Sequence, residues 1–239
     1  MNDALYPSIR GQEGFAETIR NLPDSVRALI GNLGELAITE PKGYLQARLL
    51  GSAFPILLCV FAISNGARSI GGSEEDGTLQ WLVAQPVARR RIALERAVAW
   101  VVLTVVLGVI SSASIISTAP LVDLLDGIDL ANLIAACGAS ITLALAHGAI
   151  AFAVGAATGS RGPALATATA VLVGGYLLAG FGSVTAAIER IAIVSPWHWF
   201  LDPIIVADGP TWSSVVPALT VTLVAVAVGV QQFDRRDLR

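Results

Sequence analysis

Leu49-Leu50-Gly51-Ser52-Ala53-Phe54-Pro55-Ile56-Leu57-Leu58-Cys59-Val60-Phe61-Ala62-Ile63-Ser64-Asn65-Gly66-Ala67 is a run of nineteen residues without a charge, bracketed by Arg48 and Arg68. A helix of about 20 apolar residues crosses the ~30 Å hydrocarbon core of a bilayer. Four more blocks of this kind follow, so the expected spans are about 49–69, 93–119, 130–158, 163–186 and 213–232. Backbone polar groups in lipid must pair internally, which leaves helices or closed barrels. The alternation of a barrel strand is absent. The reading is an all-α, polytopic helical membrane protein with five transmembrane helices.

Composition agrees. Of 239 residues 54% are hydrophobic and 14% charged, where soluble domains carry about 25% charged residues. A net charge of -3 does not point to nucleic acid. Cys59 and Cys137 lie inside apolar blocks without metal or redox spacing and read as small buried hydrophobes. Proton-coupled transporters, ion pumps and intramembrane proteases need ionisable groups at depth; here His147 stands alone, and a link between helices is its simpler reading. No Walker A phosphate loop is present, so nucleotide does not bind this chain by that route.

Charge asymmetry orients the spans. Arg68, Arg89, Arg90, Arg91 and Arg96 flank the first inter-span loop, Arg161 separates spans three and four, and Arg235, Arg236 and Arg239 follow span five. The alternate loops hold Asp123, Asp126, Asp129, Glu189, Asp202 and Asp208 against Arg190. The positive-inside rule places the arginine-bearing loops and the C-terminus in the cytoplasm. Residues 1–48, with six acids and five bases, are then an extracytoplasmic segment ahead of a transmembrane domain over 49–239. Pro23 and Asp24 open a short helix there, with Val26, Leu29, Ile30 and Leu33 on one face and Gly34 closing it. Pro196, Pro203 and Pro210 break the stretch 186–212 into short external re-entrant or interfacial helices, and Trp197, His198, Trp199 and Trp212 read as aromatic-belt anchors.

Small residues recur in the later spans: Gly155 with Gly159, Ala144 with Gly148, then Gly174, Gly175, Gly180 and Gly182. Such residues permit close helix approach.

The loop 70–91 carries the most information. Glu74, Glu75 and Asp76 precede Gly77-Thr78, and Leu79, Leu82 and Val83 fall at i, i+3, i+4 on a short amphipathic helix. The acids suit a helix N-terminus through the macrodipole. Pro86 ends the helix, and Arg89-Arg90-Arg91 follow.

At this loop the chain resembles the permease subunits of ABC transporters of the ABC-2 family. Glu74, Glu75, Gly77, Thr78, Leu79, Pro86, Val87, Arg89 and Arg90 match the family's acidic pair, Gly-Thr-Leu and Pro-Val-x-Arg-Arg pattern. The likeness extends to Tyr44-Leu45, to Gly159 with Arg161, to Ser195-Pro196, and to the ending Phe233-Asp234-Arg235-Arg236-Asp237-Leu238. Gln80 stands where the family often has an acid, and a first family span ahead of the external segment is expected but missing here. The resemblance implies the permease of an ATP-driven exporter in the plasma (inner) membrane, working as a homodimer or heterodimer. It implies a separate cytoplasmic ATP-binding subunit that holds ATP and magnesium, while this chain is non-catalytic and carries no cofactor. The residues expected to couple to that ATPase are Glu74, Glu75, Gly77, Thr78, Leu79, Leu82, Val83 and Pro86. Those expected to set orientation are Arg89, Arg90, Arg91, Arg161, Arg235 and Arg236. An ATPase-independent secondary transporter or channel is the alternative.

Overall fold

In a computed structural model, residues 45–122, 129–181, 195–201 and 212–236 are described. The N-terminal segment, the acidic loop at 123–128, most of the proline-rich stretch and Asp237 to Arg239 lie outside them. Among the described residues every regular element is helical. We label them α1 (Leu49–Glu75), α2 (Thr78–Val83), α3 (Arg89–Thr118), α4 (Leu130–Thr158), α5 (Arg161–Phe181), α6 (Pro196–Leu201) and α7 (Trp212–Arg235).

Five of these helices, α1, α3, α4, α5 and α7, are long and apolar enough to cross a membrane. At 1.5 Å per residue, the 30 residues of α3 and 29 of α4 make rods of roughly 45 Å, longer than the ~30 Å hydrocarbon core. The chain is therefore a multi-pass membrane protein. Its helices bury unequal amounts of surface. In α4, 67% of the most apolar stretch is buried, against 22% in α3, α5 and α7. The exposed sides of α3 and α7 carry Val98, Val102, Leu223 and Val224, as lipid-facing surfaces do.

The first span runs past the end that its sequence reading gives it. It is π-helical over Leu45–Ala53, α-helical over Phe54–Ala67, and π-helical again over Arg68–Gly72. Pro55 lies just after the first junction. A proline lacks an N–H, and its ring crowds the carbonyl four residues back, so a widened turn there relieves the clash. The helix then runs on through Ser73–Glu75, past the expected end at 69. The expected loop 70–91 thus begins as helix.

The chain forms two compact units. Of the described residues, those within 45–55, 109–140 and 175–214 belong to the first, and those within 56–108, 141–174 and 215–236 to the second. The core of the second unit gathers Ile70, Leu79, Trp100, Phe152, Val230 and Phe233, drawn from five separate helices. Trp100 and Phe152 pack with ring centroids 6.3 Å apart. Helix α4 lies close to its neighbours at Gly148. A Cβ added there would be 2.8 Å from Cζ3 of Trp100 and 3.0 Å from Cβ of Ala62, and one added at Gly66 would strike the Gly148 carbonyl oxygen.

In the first unit, Ser195 Oγ donates to the Gly175 carbonyl (3.1 Å) and accepts from the Trp197 N–H (3.2 Å), docking the start of α6 on α5. A Cβ at Gly175 would lie 2.7 Å from that hydroxyl, so the docking needs glycine. Trp197 is fully buried and packs edge-on against Tyr176 (5.0 Å) and Phe200 (5.9 Å). It is a core residue of this unit, not the headgroup anchor its sequence context suggests. His198 and Trp199 are half-buried.

Candidate functional site: a polar cluster at the end of the first span

The cluster is built where α1 stops. Asp76 N–H donates to Gly72 O (2.9 Å) and Gly77 N–H to Glu74 O (3.0 Å), closing α1. Gly77 adopts φ +69°, a left-handed conformation that costs other residues about 1–2 kcal/mol, and the chain turns there into α2. Thr78 Oγ1 donates back to Ser73 O (3.0 Å), fastening α2 to the helix before it. Six residues later, bends at Gln85–Val87 around Pro86 end α2, and α3 begins at Arg89.

Glu74 and Glu75 therefore close the C-terminal end of α1 and do not open α2, contrary to the macrodipole reading. A helix C-terminus is electronegative, so carboxylates there need compensation. Glu74, with only 6% of its side chain exposed, pairs with Arg236, just beyond the end of α7. Glu75 Oε1 accepts the hydroxyl of Ser160 and the backbone N–H of Arg161 (3.0 Å), in the joint between α4 and α5. That N–H belongs to the first turn of α5, where unpaired donors favour an anion. Arg89 Nη1 adds a bond to the Arg236 carbonyl (2.9 Å). Four helices are thus tied through side chains that the sequence places up to 162 positions apart.

Glycines make room for these ties. A Cβ at Gly71 would sit 2.8 Å from the carbonyl carbon and oxygen of Ser160. Gly159 has φ +67° and faces the ion pair itself: a Cβ there would collide with Nη1 of Arg236 and lie 2.7 Å from both Glu74 carboxylate oxygens.

The apolar face expected of Leu79, Leu82 and Val83 is divided by the structure. Leu79 is 1% exposed, within the core that also holds Ile70, Trp100 and Phe233; it faces this chain and presents nothing outward. Leu82 is 37% exposed, and the Val83 side chain lies outside the described set. Trp81 is 80% exposed and is the residue that the sequence reading missed. Its signal was available: an aromatic two positions after Leu79 falls on the opposite side of a helix. Pro86 and Val87 are exposed beside it.

The orienting arginines also part company. Arg236 and Arg89 are drawn into the cluster, whereas Arg90, Arg161 and Arg235 keep exposed positions. Arg91 pairs with Glu95 one turn on (2.9 Å), both side chains largely exposed, a pair worth about 0–1 kcal/mol. His147 lies outside the cluster, buried in α4. Its Nδ1 is 2.9 Å from Leu143 O of its own helix and 3.8 Å from Cys59 Sγ of α1. No group of three or more metal-ligating side chains occurs among the described residues.

The arrangement presents a short helix with an aromatic tip, tied by charge and hydrogen bonds to the ends of membrane-crossing helices. A family profile described as ABC-2 family transporter protein matches residues 9–238. No curated protein and no solved structure matches the chain. The profile covers nearly the full length and includes every tie of the cluster, and the chain belongs to the ABC-2 family of transporter proteins as a membrane permease.

Proposed function

We propose that this permease is the membrane-spanning, non-catalytic subunit of an ATP-driven exporter, driven by a separate cytoplasmic ATPase that carries ATP and magnesium. The ATPase docks on α2 and the turn after it. Two copies of the permease, or this chain with a related one, assemble in the inner membrane with loop 70–91, Arg161 and the C-terminus in the cytoplasm.

One observation carries the reading: Trp81 and Leu82 project from a six-residue helix whose other side, at Leu79, is sunk in the protein core. A partner drives a permease only through a contact whose energy differs between the partner's states. Such a contact needs an apolar tip on a stiff base, and α2 supplies both. The alternative, an ATPase-independent secondary transporter or channel, gains no support from the spans. Among the described residues, apart from Glu74 at the end of α1, their buried polar residues are serines, threonines and His147, whereas ion coupling calls for a carboxylate at depth.

The test is reconstitution in lipid nanodiscs with a co-expressed ATP-binding subunit. The subunit is expected to co-purify with the wild-type chain and hydrolyse ATP in the complex, and Trp81→Asp is expected to weaken its retention at least about tenfold. Directional transport by the chain alone would favour the alternative and end this reading.

A further inference from the structure

Helix α2 is fastened by its Thr78 hydroxyl to the end of α1 and so points where that end points. Six residues are too few for an independently stable helix. It hangs from Gly77, a left-handed joint with no atom within 4 Å of where a Cβ would be. Leu79 holds it down, but apolar contact is non-directional and allows a short helix to slide or roll. The direction of Trp81 therefore follows the directional ties that hold the end of α1.

Glu75 supplies one, to Ser160 and Arg161, and the more enclosed one is Glu74 with Arg236. The Gly77 N–H is bonded to the Glu74 carbonyl and Thr78 to the Ser73 carbonyl, so the turn into α2 moves with Glu74. The Glu74 carboxylate is in turn held by a guanidinium only 18% exposed, seated over Gly159. A pair this enclosed loses much of its hydration, and the loss is offset only in good geometry. It therefore selects one arrangement more than it adds stability. Arginine's planar fork sharpens the selection. The Arg89 bond to the Arg236 carbonyl fixes the backbone from which the fork extends.

We infer that Arg236 is a positioning residue: its guanidinium, housed by the bare backbone of Gly159, fixes Glu74 and so sets the direction in which α2 presents Trp81. The inference deepens the proposed function, on which it rests for the identity of what meets Trp81, but not for the tie itself.

The experiment uses the full chain in nanodiscs as wild type, Arg236→Met, Arg236→Lys, Glu74→Gln and the exchange Glu74→Arg with Arg236→Glu. Amide hydrogen exchange is followed over 78–85 and, as a control for global destabilisation, over 143–150 in α4. Arg236→Met and Glu74→Gln are expected to speed exchange at 78–85 about tenfold or more while 143–150 is unchanged. Arg236→Lys and the charge exchange should bring the rate back to within about threefold of wild type. With the ATP-binding subunit co-expressed, Arg236→Met should keep subunit stoichiometry but lower ATP hydrolysis by the complex about tenfold. Unchanged exchange at 78–85, an equal rise at 143–150, or failure of both rescues would overturn the inference. A wild-type chain that holds no ATPase would sink the proposed function alone, because the exchange measurements still judge Arg236.

Discussion

Leu79 and Trp81 stand two positions apart on one turn of helix and face opposite surroundings, 1% and 80% exposed. Hydrophobicity at i, i+3, i+4 locates an apolar face but not what covers it, so the sequence could not tell Leu79, inside the protein, from a residue offered to a partner. Two substitutions separate these roles. Leu79→Ala should destabilise the permease by about 2–4 kcal/mol, as large-to-small changes in cores do, and lower its melting temperature in nanodiscs. Trp81→Ala should leave stability within about 0.5 kcal/mol yet weaken ATPase binding by about 2 kcal/mol or more, as interface tryptophans do; a binding titration reads this. Gly159 is a third case. Its pairing with Arg161 was visible in the sequence, but its reason was not, because the reason is a contact with Glu74 and Arg236. Gly159→Ala should cost about 1–2 kcal/mol from the left-handed backbone alone, and more from collision with the ion pair. A thermal shift no greater than that of an alanine placed at Gly162, where space is open, would contradict this.

The five spans were legible because crossing a bilayer is a one-dimensional demand: enough consecutive apolar residues, wherever they later pack. The end of α1 was not. Ser69-Ile70-Gly71-Gly72-Ser73 has the composition of a loop, yet it is helical to Glu75. Its glycines serve close approach, since a Cβ at Gly71 would press on the Ser160 backbone and one at Gly72 would lie 3.1 Å from Cγ of Arg68. Glycine lowers helix propensity by about 1 kcal/mol, a penalty that packing within the second unit outweighs. Widened π-turns leave no clear mark in hydropathy either. The small residues of α4 were recognised as a packing face, and Gly148 is where that face is tightest, against Ala62 and Trp100. Gly148→Leu should therefore overpack this contact and cost about 1–3 kcal/mol or more, seen as a lower melting temperature. The same change at Gly174, which has no neighbour within 4 Å, should be nearly silent.

The arrangement of the chain across the bilayer is the largest-scale expectation, and it rests on arginine placement. The chain's own thiols make it simple to check. Cys59 and Cys137 are free and buried, 0% and 2% exposed, so a membrane-impermeant thiol reagent meets little background. A cysteine at Gly127 should label from outside intact cells, and one at Gly162 only after the membrane is opened. Labelling in the opposite sense would reverse the orientation and remove α2 from the compartment of the proposed ATPase. The pairings within the polar cluster were beyond reach from sequence. Glu74, Glu75, Arg89 and Arg236 are each conspicuous, but nothing in a string of residues says which charge meets which. That separation in the chain has a consequence during synthesis. Ribosomes make proteins from the N-terminus, and Arg236 emerges 162 residues after the glutamate it holds. The first four membrane-crossing helices are thus made before the residue that pairs with Glu74, and the pair cannot form until α7, which ends at Arg235, has been synthesised. On the positioning role inferred for Arg236, premature termination within α7 would yield a product with its earlier spans in the bilayer and Glu74 left without this partner.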